Sequence, residues 1–163
     1  MSPVLPIAPL LVFAWGNASR GDDALGPLCL ERLRAMPWPQ GRVEFLEDYQ
    51  LQIEHALDLV GREHVLFIDA SRDCVAPFQV SAVRAQRDAS WSSHALSPQA
   101  LLQVFADLRA QALPPCTLLA LRGESFVLGA APSTRALQHL DAALPWAQRW
   151  LLAQAGAIDA LAR

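Results

Sequence analysis

The apolar and polar positions divide this chain into alternating strand and helix signals. Residues 10–15, LLVFAW, run without a polar interruption and stop at Gly16-Asn17, as a buried strand does when it ends in a turn. A polar stretch, Ala18-Ser19-Arg20-Gly21, leads to two adjacent carboxylates, Asp22 and Asp23. Behind them Leu25, Leu28, Leu30 and Leu33 recur with charged residues between, which predicts a helix with one buried side that fades before Pro37. A second strand is expected over 43–46. Ile53, Ala56, Leu57 and Val60 then space as a helix that stops at Gly61.

A third strand, 64–68, is apolar after its histidine and ends at Asp69-Ala70-Ser71. Residues 78–83 alternate, with Val80 and Ala82 on one side and Ser81 on the other, which predicts a half-exposed strand. Ser97-Pro98 is a helix start, serine capping and proline at the first helical position, with Leu101, Leu102, Phe105 and Leu108 at helical spacing behind it. Residues 116–121 form the fifth apolar run. Ser133 opens a last helix, which Pro145 should kink or divide. Strands alternating with helices across short loops predict an α/β fold: a three-layer sandwich with a mostly parallel, twisted sheet of about five strands and helices on both faces.

Composition narrows the function classes. A chain of 163 residues, 53% hydrophobic and 18% charged, reads as a single globular domain over 1–163. With 13 basic and 16 acidic residues the net charge is −3 and no basic patch is visible, so nucleic acid is not an expected partner. Prolines interrupt the N-terminal apolar stretch, which argues against a signal peptide or a membrane span. Cys29, Cys74 and Cys116 are scattered and form no metal-type spacing, which suggests reduced thiols in the cytoplasm.

In an open α/β sheet, ligands bind beyond the carboxyl ends of the strands. Three chemically capable side chains fall on loops expected there: Asp23 after the first strand, Asp69 after the third and His94 ahead of the helix that begins at Pro98. Each has a structural alternative. Asp22 or Asp23 suits an N-cap, though one cap does not account for two acids in a row; Asp69 suits a loop satisfied by backbone amides; a loop histidine is commonly a surface residue. Together, two carboxylates and an imidazole would suit a divalent transition metal with positions left open. Asn17 suits a turn that its own amide ties.

The opening segment resembles the N-terminal signature of the hydrogenase maturation endopeptidases: a strand, Gly-x-Gly-Asn, a short loop, then Asp-Asp or Asp-Glu before a glycine-containing helix start. Here the pattern stands as Ala14-Trp15-Gly16-Asn17 and Asp22-Asp23-Ala24-Leu25-Gly26, with Ala14 in place of the first glycine. The likeness runs over 11–102 and again at 121–126. Residues 49–59, YQLQIEHALDL, resemble the branch that serves bidirectional or NAD-reducing hydrogenases.

The resemblance implies an aspartic, metal-assisted endopeptidase of the cytoplasm that removes the C-terminal extension from the precursor of a nickel-iron hydrogenase large subunit. It implies that Asp23, Asp69 and His94 contact the metal and carry the chemistry. The nickel would be supplied by the substrate and read by the protease before cutting. No His-Glu-x-x-His and no cysteine pair offers a permanent zinc site. The alternative is a non-catalytic nucleotide-binding or partner-docking module. Gly16, Gly21 and Gly26, five residues apart, match neither dinucleotide nor P-loop spacing.

Overall fold

A computed structural model describes residues 2–87, 96–108, 111–161 and 163. Its sheet has five strands: β1 (Leu10–Trp15), β2 (Val43–Asp48), β3 (His64–Ser71), β4 (Phe78–Val83) and β5 (Cys116–Arg122), in the spatial order β2-β1-β3-β5-β4. β1 runs parallel to both β2 and β3, and β3 parallel to β5; β4 alone is antiparallel. The helices are α1 (Leu25–Arg34), α2 (Pro98–Leu108) and α3 (Thr134–Leu161), and two 3-10 segments stand at Gly21–Ala24 and Ile53–Leu59.

Successive residues of a strand point to opposite faces, so a strand apolar throughout is one covered on both sides. All six residues of β1 are buried. Leu10, Val12 and Ala14 join Leu66 and Ile68 of β3 under α1 and α3. Leu11, Phe13 and Trp15 join Val65 and Phe67 on the other face, under α2 and the Ile53–Leu59 segment. The expected three layers thus follow from the uninterrupted apolar runs of β1 and β3.

Four local readings are corrected. The α-helix expected over 53–60 is a 3-10 helix, because His55 folds back to accept the Gln52 N–H at 2.8 Å and tightens the first turn. Ala56 and Leu59, three apart, are buried there, whereas Ile53 and Leu57 stand 60% and 61% exposed. β4 is an edge strand exposed from Gln79 to Ala82, with Val83 alone buried. Pro145 lies inside a single 28-residue helix and does not divide it. Asp22 and Asp23 cap neither the 3-10 turn nor α1: no side-chain cap bond is made at either start.

Asp22 is completely buried and serves a distant segment. Its carboxylate accepts the N–H groups of Glu124 (2.6 Å), Ser125 (2.9 Å) and Ser133 (2.6 Å) and the Ser133 hydroxyl (2.9 Å). Ser133 in turn caps α3, its Oγ accepting the Ala136 N–H at 3.2 Å. Burial opposes ionisation of Asp22, but the amides of Ser133, Ser125 and Glu124 and the Ser133 hydroxyl outweigh it and hold the carboxyl below its ordinary 3.8.

A carboxyl depressed in the folded state contributes stability above its unfolded pKa and loses it as pH falls through the folded value. Asp22→Asn places an amide donor among donors, and is expected to lower unfolding stability by about 3 kcal/mol or more at neutral pH. Urea denaturation from pH 7 to pH 2 checks this: the loss should shrink as the wild-type carboxyl is protonated below 3.8.

Candidate active site

The turn after β1 folds sharply because two glycines permit it. A Cβ on Gly16, whose φ is +150°, would lie 2.1 Å from the Asp23 carbonyl oxygen. One on Gly26 would lie 2.6 Å from the Trp15 carbonyl oxygen and 3.1 Å from that of Ile68. Without side chains there, the start of α1 presses against the carboxyl ends of β1 and β3, and the acidic turn folds back over β1. Asp23 then points opposite to Asp22, toward the rim, and accepts the Asn17 N–H at 2.8 Å.

At that rim lies a cleft of about 390 Å³ whose wall includes Trp15, Asn17, Arg20, Asp23, Tyr49 and Asp69. The strand register explains the convergence: Ala14 pairs with Ile68, and Trp15 pairs with Asp48. The ends of β1, β2 and β3 therefore open on one crevice, where an open α/β sheet changes strand order. Asp23 and Asp69, 46 positions apart in the chain, meet here. His94 falls outside the described residues. Among the described residues no group of three or more histidine, cysteine, aspartate and glutamate side chains is placed to hold a metal.

Asp69 is part of β3 rather than of the loop behind it. Burial, and then the charge of Asp23, raise its pKa to about 7, against the Ala70 amide and the Trp15 side chain, which hydrogen-bond it and act to lower it. Its neutral and charged forms are thus balanced near physiological pH. Burial pushes the Cys29 and Cys116 thiols up to about 12, which disfavours either as a nucleophile at neutral pH.

Asn17 holds the turn as its residue type suggested. Its Oδ1 accepts the Ser19 N–H at 2.9 Å, and its Nδ2 donates to the Tyr49 hydroxyl at 2.8 Å. The sequence reading singled out neither Tyr49 nor His55 as part of the site. His55 joins Asp48 at the end of β2 at 2.9 Å, and Asp48 also accepts the Tyr49 N–H at 2.6 Å. The available signal was the run 49–59, set apart by resemblance before its chemistry was visible.

No family model matches the chain, and no curated protein matches it in sequence. Solved structures do. The [NiFe] hydrogenase maturation protease HycI from Thermococcus kodakarensis superposes with a TM-score of 0.69 at 19% identity, over 88% of this chain and 92% of that one. The hydrogenase maturating endopeptidase HybD from E. coli gives 0.70 at 23% identity, over 89% and 93%. The chain has the fold of the hydrogenase maturation proteases. A hydrogenase 2 maturation peptidase from a Thaumarchaeota archaeon shares that maturation-protease fold at 0.64 and 23% identity, over 87% and 97%.

The raised pKa of Asp69 has a sign for stability. Between 3.8 and about 7 the unfolded chain ionises this group while the native chain keeps its proton, so the group costs stability as pH rises through that window, and the cost levels off above it. Asp69→Asn removes the cost. The variant is expected to be more stable than wild type by roughly 2–4 kcal/mol at pH 8 and no more stable at pH 3.5, measured by urea denaturation.

Proposed function

We propose that the chain is an endopeptidase that removes the C-terminal extension from the nickel-loaded large subunit of a [NiFe] hydrogenase. The observation that carries the proposal is the meeting of Asp23 and Asp69 in one cleft at the carboxyl edge of the parallel strands. The fold, shared with proteins named as hydrogenase maturation proteases, supports it. A pair of carboxylates offers hard oxygen ligands and leaves coordination positions open, which suits a protein that reads a metal held by its substrate. The charge of Asp23 raises the pKa of Asp69, and a divalent cation between them would relieve that repulsion.

In this reading Asp23 makes the closest contact with the substrate's nickel, and His94, outside the described residues, completes its recognition. Asp69, the other carboxyl of the pair, takes the proton from the attacking water. Water attack on the scissile carbonyl gives a tetrahedral intermediate, and its collapse returns the proton to the leaving amine. No helix among the described residues is long and apolar enough to cross a membrane. The resemblance of the run 49–59 points to a precursor of the bidirectional or NAD-reducing type.

The test is incubation of the chain with nickel-loaded and nickel-free precursor, followed by mass analysis of the product. The nickel-loaded form is expected to be shortened at its C-terminus and the nickel-free form left intact. Asp23→Asn should fold yet process at least about a hundredfold more slowly. A stable complex without shortening, or full activity in the Asn variant, overturns the proposal.

A further inference from the structure

Tyr49 is 61% exposed and yet held at both ends, which is unusual for a surface aromatic. The His55 Nδ1 accepts the Gln52 N–H at 2.8 Å, so the ring proton sits on Nε2 and is donated to Asp48 Oδ2 at 2.9 Å. His55 is itself fixed, 8% exposed with its ring edge-on to Phe13 at 4.6 Å. The other oxygen of Asp48 accepts the Tyr49 N–H at 2.6 Å. This chain of contacts anchors the backbone of Tyr49 at the end of β2.

The hydroxyl is oriented from the opposite wall. Because Asn17 Oδ1 is committed to the Ser19 N–H, the Asn17 amide must present its Nδ2 to Tyr49, and the phenolic oxygen accepts that bond. The phenolic hydrogen has no acceptor among the described residues, and Tyr49 lines the same cleft as Asp23 and Asp69. A donor on the wall of an acidic cleft, polarised by a second donor, is suited to an oxygen that gains negative charge.

We propose that the Tyr49 hydroxyl, held by Asn17 and the Asp48–His55 pair, is a catalytic residue that donates to the scissile carbonyl oxygen as it becomes an oxyanion. The assignment rests on the proteolytic reading above. The oxygen of water bonds to the carbonyl carbon while its proton passes to a cleft carboxylate. The π pair moves to the carbonyl oxygen, where the Tyr49 O–H meets it. When that pair returns, the carbon–nitrogen bond breaks and the amine leaves with the proton the carboxylate held. Tyr49 donates a hydrogen bond throughout and keeps its proton.

Tyr49→Phe keeps the ring and removes the donor. With nickel-loaded precursor it is expected to lower kcat about a hundredfold, the size of losing one oxyanion donor, with precursor affinity within twofold of wild type. A Phe variant as fast as wild type, or a loss confined to affinity, overturns the proposal. Failure of the wild type to shorten the precursor overturns the proteolytic reading first and this assignment with it.

Discussion

The buried carboxylate of Asp22 is the constraint on which the site depends. An ion with no exposure costs several kcal/mol unless its lone pairs are met, and here they are met by donors from Glu124, Ser125 and Ser133, more than a hundred positions along the chain. The β5–α3 connection and the start of α3 must therefore close on the first turn for that turn to be stable. Once Asp22 is drawn inward, the short 3-10 segment leaves Asp23 facing out. Two identical neighbouring side chains thus acquire opposite environments, one saturated with donors and one presented to the cleft.

The cleft carries the reverse arrangement. Asp69 sits where burial and the charge of Asp23 both oppose its ionisation, and the bonds from Ala70 and Trp15 act to lower its pKa but do not outweigh them. A fold tolerates such a group when the remainder of the sheet supplies the stability, and here β1 and residues 65–68 of β3 are apolar on both faces. Unrelieved like charge at the carboxyl edge of strands is the mark of a binding site more than of a structural pair. In the proposed reaction the substrate's metal supplies the missing positive charge, so the tension is relieved only when the right precursor is present.

Much of this was legible because it was local or strictly periodic. The unbroken apolar runs of β1 and β3 announced strands covered on both faces, and Ser97-Pro98 marked the start of α2, where the Ser97 hydroxyl accepts the Ala100 N–H. The turn role of Asn17 was readable because its partner Ser19 lies two residues on. The task of Asp22 was not readable, since every donor it meets comes from a segment that only folding brings near. The 3-10 geometry of Ile53–Leu59 was hidden because three- and four-residue spacings coincide over so short a stretch, and the deciding contact, His55 on Gln52, is made by a side chain. The candidate trio was legible in part: Asp23 and Asp69 converge, and His94 lies beyond the described residues.

The sheet order gives each strand end a separate task. From β1 the chain goes outward to β2 and then crosses to β3 on the other side, so the crevice between β1 and β3 is where strand order switches and where both acids stand. β2 reaches the same crevice from its outer side and contributes no acid to it; its end brings Tyr49, fixed through Asp48 and His55. The acid pair depends on close backbone packing at Gly16 and Gly26, which allows few substitutions. The segment after β2 reaches the crevice with Tyr49, while Leu51, His55, Ala56 and Leu59 behind it are buried against the sheet. In the proposed reaction the two kinds of group have different supports: the acids are set by backbone packing at the switch point, and Tyr49 is set by bonds to the side chains of Asn17 and Asp48.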